Sequence, residues 1–397
     1  MASSSGQTPK SPQAQSAKSS QSPNTSQSQS PKSSQSPEAA SPAPAAAPAA
    51  APAPLLSAEA ATAAGILPAS HWADQPLPEE RPDDDADSTF GSDVGSTASL
   101  TSSIFEYRTH HGRTYHGDIG NAEAWEPNDQ HHVDAMDVAH HCHTVCLGGK
   151  LFMSPLDKKR VQKVVDIGTG TGLWAIDFAD EFPNAIVIGT DVSPIQPSWV
   201  PPNVKFELDD CNQEWTWADN TFDFVHMRML MGVIADWYDI FRQAYRTCKP
   251  GGYVETFIGS PQFKSDDGSV KPDSALGQWG KVFSEGGKKF GRTFDGVEED
   301  LQRKGMEAAG FVDIEVKDIL CPIGTWHPDK EAAERGLWWK MSLDMDLEGY
   351  LTYICANLLG WTVEETKVYC AHVRKEWADR SIHGYVWLRV AWGRKPE

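Results

Sequence analysis

The sequence predicts an α/β protein with a mainly parallel sheet, and two observations carry this prediction. Short β-branched runs alternate with segments of helical periodicity through most of the chain, which is typical of successive strand–helix–strand units. One such run, Lys163 to Ile167, ends in a glycine-rich loop that leads into a helix at Leu173. A strand, a glycine loop and a helix in this order form the nucleotide-binding corner of an α/β sheet.

Composition divides the 397 residues into two parts. Residues 1–98 are rich in Ser, Pro, Ala and Gln and contain few large apolar residues. Such a segment buries too little apolar surface to offset the entropy of ordering, so we predict a disordered N-terminal tail. Residues 99–397 suffice for one domain with insertions. Its predicted parts are a helical arm (99–160), a core (161–259), an insertion (260–292) and the rest of the core with a helical lid (293–397).

The arm contains a helix predicted between Asp129 and Leu147. Its apolar residues recur at helical spacing and form one face: Ala135, Val138, Ala139, Cys142, Val145 and Cys146. Both cysteines are therefore expected in the core, and His132, His140 and His143 are expected away from that face. Because no Cys-x-x-Cys pair or tetrahedral ligand set closes, we predict no metal site.

The glycine loop has the spacing G-x-G-x-G, one residue shorter than the fingerprint that holds a dinucleotide pyrophosphate. Asp166 precedes the first glycine by two residues, where a carboxylate would repel a diphosphate. It suits a cationic ligand, and S-adenosylmethionine carries both an ammonium and a sulfonium. Asp191 ends the next predicted strand and can accept hydrogen bonds from both ribose hydroxyls. The predicted contacts of S-adenosylmethionine here are Asp166, Gly168, Thr169, Gly170, Gly172 and Asp191.

The third strand, Val204 to Leu208, is followed by two aspartates. An acidic side chain here can accept a hydrogen bond from the exocyclic amine of an adenine. We choose Asp210 for this role, with Asp209 as the alternative.

The fourth strand, Phe222 to His226, supplies candidates for the chemistry. His226 is the candidate catalytic base for an acceptor with a hydroxyl or a protonated amine, and the alternative is a hydrogen-bonded core histidine. Arg228 could orient an acidic acceptor or pair with a neighbouring carboxylate. Tyr115 and Trp174 are candidate walls of the substrate pocket, although aromatic residues are more often core.

The remaining pattern continues the alternation. The predicted elements are a helix capped by Asp236, a strand at 253–258, a helix at 298–309, a strand at 311–319, helices at 331–359 and 363–379, and a final strand at 385–392. Thr362 and Glu365 form a capping box. A helical insertion between the last two strands can cover the carboxyl edge of the sheet, where such sheets bind ligands.

The overall charge and apolar content restrict the function further. The formal net charge is −20, which argues against sequence-independent DNA binding because that requires a basic face. No run approaches the ~20 apolar residues of a membrane span. The first residues do not form a signal peptide, and the seven cysteines are scattered. We therefore expect an intracellular protein, in the nucleus or the cytoplasm.

From about Ser99 to Pro396 the chain resembles the fungal LaeA-like class I S-adenosylmethionine-dependent methyltransferases. The motifs that carry the resemblance are Gly112-Arg113-Thr114-Tyr115-His116, Asp166 to Asp177, Ser193-Pro194-Ile195-Gln196-Pro197, Phe222 to Arg228, Lys249 to Glu255, Pro322 to Trp326 and Gly393 to Pro396. The resemblance implies a Rossmann-like, seven-stranded sheet with a late antiparallel strand, and S-adenosylmethionine as cofactor. It also implies a role around fungal secondary metabolism.

The sequence departs from the family at two places. Met229 and Leu230 follow Arg228 where Asn-Leu is common, and Cys211 follows Asp210 where Ala is usual. The first change lines the expected acceptor pocket, so the acceptor stays open between a small metabolite and a protein. Some family members are nuclear regulators associated with velvet proteins. The alternative function is therefore a regulatory subunit that binds S-adenosylmethionine and acts in transcription regulation through velvet-type partners.

Overall fold

A seven-stranded sheet forms the centre of the domain. The computed structural model describes residues 55–76, 105–117, 119, 122 and 124–397. A two-stranded hairpin, β1 (Arg108–His110) and β2 (Arg113–Tyr115), precedes the sheet. The strands of the sheet are β3 (Lys163–Ile167), β4 (Ile186–Asp191), β5 (Val204–Leu208), β6 (Phe222–Arg228), β7 (Cys248–Gly259), β8 (Val312–Pro322) and β9 (Tyr385–Arg394).

The strand order is β5-β4-β3-β6-β7-β9-β8. Strands β3 to β7 are parallel to one another, and β9 is antiparallel to both β7 and β8. This confirms the predicted Rossmann-like, mostly parallel fold with a late antiparallel strand. The chain runs from β3 to β4 on one side and returns to β6 on the other. The crevice beyond the carboxyl end of β3 is the switch point at which such sheets bind ligands.

Helices cover both faces of the sheet and its carboxyl edge. Four of them lie outside the insertions and come directly before a strand of the sheet in the chain: α3 (Gln130–Cys146), α4 (Leu173–Glu181), α5 (Trp237–Thr247) and α7 (Leu301–Ala309). Those that precede it or lie in the insertions are α1 (Ala58–Ala63), α2 (Ala69–Ala73), α6 (Ala275–Phe290), α8 (Lys330–Met345), α9 (Leu347–Thr352), a π-helical segment (Tyr353–Leu358) and α10 (Val363–Ala378). The capping box of Thr362 and Glu365 is present at the start of α10.

Alternation along the strands explains the two-sided core. Val164 of β3 and Phe224 of β6 pack with Phe178 of α4, whereas Val165 and its neighbours pack with Phe241 of α5 on the opposite face. Successive side chains of a strand point to opposite faces, so a continuous β-branched run is buried on both sides.

Residues 55–76, here called the strap, are folded although they belong to the tail that was predicted to be disordered. They form α1 and α2, which pack on the domain. The indole of Trp72 is 1% exposed and its ring centroid lies 5.1 Å from that of Tyr369. The amide of Leu56 donates to the carbonyl of Leu358 at 3.0 Å. The prediction of disorder is wrong for the strap, because one tryptophan and a few aliphatic residues suffice to dock it. Residues 1–54 and 77–98 lie outside the described residues, so the tail stays a prediction there.

Two segments differ from their predicted secondary structure, one because it contains a helix and the other because its helix is divided. The polar insertion at 260–292 contains the 16-residue helix α6. The single helix predicted at 331–359 is divided into α8, α9 and the π-helical segment. The division falls at Asp346, whose side chain accepts a hydrogen bond from the amide of Gly349 at 3.0 Å and so caps α9.

The orientation of the α3 histidines also differs from the prediction. Cys142 and Cys146 are buried as expected, but His132, His140 and His143 are buried too. The helix contacts α8 as well as α4, so more than one of its faces is covered. No helix in the described ranges has both the length and the apolar character that crossing a membrane requires.

Candidate active site

A cavity of about 250 Å³ lies at the carboxyl ends of β3, β4 and β6. The glycine loop and the loop after β4 form its polar side. Helices α3, α6, α8 and α9, together with the segments at 124–127, 229–233 and 259–263, supply most of its apolar side. The cavity therefore occupies the edge at which the topology predicts a ligand.

The three glycines of the loop have different tasks. Gly168, Gly170 and Gly172 all have positive φ, a conformation that L side chains rarely adopt. Gly168 and Gly170 line the cavity together with Thr169, and a Cβ on Gly170 would lie 2.7 Å from Cε of Met136. Gly172 does not line the cavity. It is the N-cap of α4, so it shapes the start of the helix rather than the cavity wall, and its contact with the cofactor stays a prediction.

Asp191 lines the cavity and holds the loop. Its Oδ2 accepts a hydrogen bond from the amide of Gly170 at 2.8 Å, and its Oδ1 accepts one from the amide of Ser193 at 2.9 Å. Burial raises the pKa of Asp191 to about 6, against the lowering effect of these amides. Asp191 therefore lies at the cavity, and its role towards the ribose stays a prediction.

Asp166 does not line the cavity, in contrast to the prediction. Its Oδ2 accepts a hydrogen bond from Oγ1 of Thr169 at 2.6 Å, and its Oδ1 accepts one from Nδ1 of His226 at 2.7 Å. Both oxygens are satisfied inside the protein, because the side chain lies below the loop. Asp166 therefore supports the loop from beneath, through Thr169 and His226.

The choice between the two aspartates after β5 is reversed. Asp210 is buried, and it accepts hydrogen bonds from the amide of Asn212 and from Nε2 of Gln213. Asp209 lines the cavity, and burial raises its pKa. The structure thus favours the alternative, Asp209, as the side chain available to a ligand.

His226, the candidate base, does not reach the cavity. Its ring stacks on Trp174 with centroids 3.7 Å apart and an interplanar angle of 4°. Burial lowers the pKa of His226, while the hydrogen bond to Asp166 opposes that change. Since β6 directs this side chain towards α4, His226 and Trp174 belong to the core beneath the site. The proposed roles as base and pocket wall are not supported.

Of the two remaining candidates for the substrate pocket, one lines the cavity. Tyr115 is fully buried between His110 and Tyr353 and does not line the cavity. Arg228 lines it, and burial lowers the pKa of its guanidinium to about 10. Arg228 therefore lies at the cavity, as the sequence predicts, and Tyr115 does not.

Sequence reasoning missed most of the apolar wall. Its aromatic members are Trp125, Phe263, Trp279, Phe283, Phe294, Trp339 and Tyr350. Nε1 of Trp125 donates a hydrogen bond to the carbonyl of Met231 at 3.0 Å, which fastens the arm across the end of β6. The only available signal was the unusual number of aromatic residues in the segments predicted as insertion and lid.

Two titratable residues of the cavity were also missed. Burial raises the pKa of Glu126 and lowers the pKa of His143 well below its usual value. Nδ1 of His143 has no hydrogen-bond partner among the described residues. Within those residues, no cluster of three or more His, Cys, Asp or Glu side chains could hold a metal ion.

The donor set fits S-adenosylmethionine. Three carboxyl groups, those of Glu126, Asp191 and Asp209, line the cavity, and they complement a ligand with cationic groups and hydroxyl donors. The absence of a Cβ at Gly170 leaves the loop backbone accessible. Asp191, Asp209 and the Gly168–Gly170 backbone are the groups that would hold this cofactor. The fold and the site together define an S-adenosylmethionine-dependent methyltransferase.

Comparison with known proteins identifies the family. A methyltransferase domain model matches residues 138–315. The chain is 36% identical over 302 residues to methyltransferase pytC of Aspergillus terreus, a match that covers 76% of this chain and 92% of that protein. It is 31% identical to the secondary metabolism regulator LAE1 of Cochliobolus heterostrophus over 72% of this chain and 94% of that protein. It is also 31% identical to the probable methyltransferase tdiE of Emericella nidulans over 66% of this chain and 82% of that protein. The chain therefore belongs to the LaeA-like methyltransferase family.

Proposed function

We propose that this enzyme transfers the methyl group of S-adenosylmethionine to a small molecule with an apolar body. The observation that supports this acceptor is the aromatic wall, which lines the same cavity as the glycine loop. Pockets for small ligands combine such walls with a few placed polar groups. A flat or polycyclic acceptor would stack there, whereas a polar peptide would leave its backbone groups without partners.

Methyl transfer is an in-line displacement. When bound, S-adenosylmethionine supplies a methyl group attached to a sulfonium, and the sulfur departs as a neutral thioether. The protein holds the two reactants in line and excludes water. Asp191 and the loop at Gly168–Gly170 fix one reactant, and Trp279 and Trp339 enclose the other. Positioning of this kind can supply roughly 7 to 11 kcal/mol of the barrier reduction.

Labelled cofactor tests this function. The purified protein is incubated with methyl-labelled S-adenosylmethionine and an extract of the source organism, and the products are separated into solvent-extractable small molecules and protein. We expect label in the small-molecule fraction for the wild type and for Gly149→Glu, because position 149 is exposed and a Cβ added there would meet no atom within 4 Å. We expect none for Gly170→Glu, whose side chain would fill the cavity. Label that appears in the protein fraction instead would overturn the small-molecule acceptor.

A second candidate function is favoured by the names of the relatives. LAE1 and pytC match the chain over similar spans, yet one is described as a regulator of secondary metabolism and the other as a methyltransferase. In this candidate, the chain binds S-adenosylmethionine within a nuclear complex and acts through velvet-type proteins.

A genetic replacement separates the two candidates. The chromosomal gene is replaced by the Gly170→Glu or the Gly149→Glu allele, and metabolite profiles and nuclear fractions are compared. Normal metabolite profiles with the Gly170→Glu allele, together with nuclear recovery of the protein, would support the regulatory subunit. Loss of a single methylated product would support the enzyme acting on a metabolite.

A further inference from the structure

Arg228 is the one lysine or arginine side chain that lines the cavity within the described part of the chain. Three carboxyl groups line the same cavity, but none of them forms an ion pair with Arg228 among the described residues. Neither Asp166 nor Asp177 contacts it directly, although both act on it electrostatically. A partly buried guanidinium without a bonded anion is costly, so this side chain requires an explanation.

A relay from α3 and α4 holds the guanidinium in place. Nη2 of Arg228 lies 3.0 Å from Nδ1 of His140, and Nε2 of His140 lies 2.9 Å from Oδ2 of Asp177. A guanidinium can only donate, so Nδ1 of His140 is the acceptor and Nε2 carries the proton. Asp177 accepts that proton in a hydrogen bond and so fixes the tautomer. His140 and Asp177 are therefore positioning residues for Arg228.

This relay occupies only part of the guanidinium. Arg228 has five N–H donors in a planar fork, and the imidazole of His140 accepts from one of them. The rest of the fork is free to bind a ligand at the cavity wall beside His143, whose ring also lines the cavity. A planar fork is matched best by the two oxygens of a carboxylate.

We propose that Arg228, oriented by His140 and Asp177, is a binding site for a carboxylate of a molecule held in the cavity. Two molecules could supply this group: the amino-acid part of S-adenosylmethionine, or an acceptor that is a carboxylic acid. The second source rests on the proposed function, whereas the first does not.

Calorimetric titration distinguishes the sources without requiring turnover. The probes are S-adenosylhomocysteine, 5′-methylthioadenosine, which lacks the amino-acid part, and 2-naphthoate with 2-naphthylmethanol as its neutral counterpart. Each is titrated into the wild type, Arg228→Gln and the control Arg303→Gln, whose half-buried side chain on α7 pairs with Asp300 and does not line the cavity. We expect Arg228→Gln to lose at least tenfold in affinity for one carboxylate probe and to keep its affinity for the matched neutral probe.

The pattern of loss identifies the source. Weaker binding of S-adenosylhomocysteine with unchanged binding of 5′-methylthioadenosine assigns the carboxylate to the cofactor. Weaker binding of 2-naphthoate with unchanged S-adenosylhomocysteine assigns it to the acceptor. Affinities within twofold of the wild type for both carboxylates, or an equal loss for charged and neutral probes, would overturn the proposal.

The relay offers a second variant in case Arg228→Gln fails to fold. Asp177 is half exposed, with 50% of its side chain accessible, so Asp177→Asn should fold. We expect this variant to lower the affinity ratio of a carboxylate probe to its neutral counterpart by severalfold. His141→Gln, an exposed neighbour of His140 on α3, should leave the ratio unchanged. A ratio that is the same in both variants would show that the relay does not act on the site.

Discussion

Asp191 is the residue whose ionisation should be visible in cofactor binding. Burial raises its pKa to about 6, and we expect its carboxylate to accept hydrogen bonds from the ribose hydroxyls. As the pH falls through 6 the carboxylate takes up a proton and becomes a weaker acceptor. We expect the affinity for S-adenosylhomocysteine to fall between pH 7 and pH 5, by at most about tenfold per pH unit. Calorimetry across this range tests it, and Asp191→Asn should bind weakly with no such step. A step of equal size in the variant would assign the titration to another group.

At the scale of single residues, the sequence predicts which segments form the cavity more reliably than which side chains line it. Gly170, Asp191 and Arg228 line the cavity as predicted. Asp166 and His226 are adjacent in the strand register, yet they face α4 and bind each other. A pattern in one chain shows where a strand ends. Which face of the sheet receives a given side chain depends on the helices that pack there, and only the fold shows this.

Asp346 joins three elements through one buried carboxylate. Nη2 of Arg113 donates to it at 2.7 Å and Nδ1 of His132 at 2.8 Å, so it ties the β1–β2 hairpin and α3 to the start of α9. Arg113 and His132 hold its pKa well below the usual range, although burial acts in the opposite direction. A depressed pKa means that this stabilisation is complete above the unfolded value near 4 and is lost only gradually as the pH falls from there through the much lower folded pKa.

Asp346→Asn should destabilise the protein by about 1.5 to 3 kcal/mol at pH 7, because it removes the buried charge that Arg113 and His132 share and leaves Arg113 paired with Asp129 alone. The matched control is Asp344→Asn, whose surface ion pairs with Lys340 and Arg374 predict a loss below about 1 kcal/mol. Urea unfolding at pH 7 and at pH 3.5 measures both. Most of the difference should remain at pH 3.5, because the folded carboxylate is still ionised there. Equal losses for the two variants at pH 7, or a difference that has vanished at pH 3.5, would contradict this role.

The strap provides a second prediction at the scale of elements. Trp72 is 1% exposed and Trp199 is 87% exposed, so replacement by alanine should affect stability strongly at position 72 and hardly at all at position 199. Trp72→Ala should cost about 3 to 5 kcal/mol of docking energy, whereas Trp199→Ala should change stability by less than about 0.5 kcal/mol. Limited proteolysis should release the strap first in Trp72→Ala. Equal protection of the strap in both variants would show that Trp72 does not hold it.

The sequence predicts elements well where the pattern is regular and poorly where glycine has a packing role. The glycines of α6 favour a polar loop in the sequence pattern. In the fold, a Cβ at Gly280 would clash with the side chain of Gln262, and one at Gly286 with that of Ile354. These glycines allow close packing rather than a turn. Glycine content alone does not distinguish the two, since the partner surfaces come from distant parts of the sequence.

At the scale of the whole molecule, the cavity is assembled from segments far apart in the chain. Trp125 belongs to the arm, Trp279 to α6 and Trp339 to α8, and all three line the cavity with the glycine loop. A ligand that contacts these parts together binds only the folded state. By mass action, S-adenosylhomocysteine at a hundred times its Kd should therefore add about 2.7 kcal/mol to the free energy of unfolding.

Thermal unfolding with and without S-adenosylhomocysteine tests this coupling, and two glycine variants make it specific. Gly149→Ala and Gly170→Ala place a side chain at a positive φ and share a backbone cost of about 1 to 2 kcal/mol. Only Gly170→Ala also sets a methyl group against Met136 at the cavity wall. We expect both variants to unfold at a lower temperature, and only Gly149→Ala to regain stability with the ligand as the wild type does. An equal response of the two variants would mean that the ligand does not bind against the glycine loop. The coupling between arm, insertion and lid would then have to arise elsewhere.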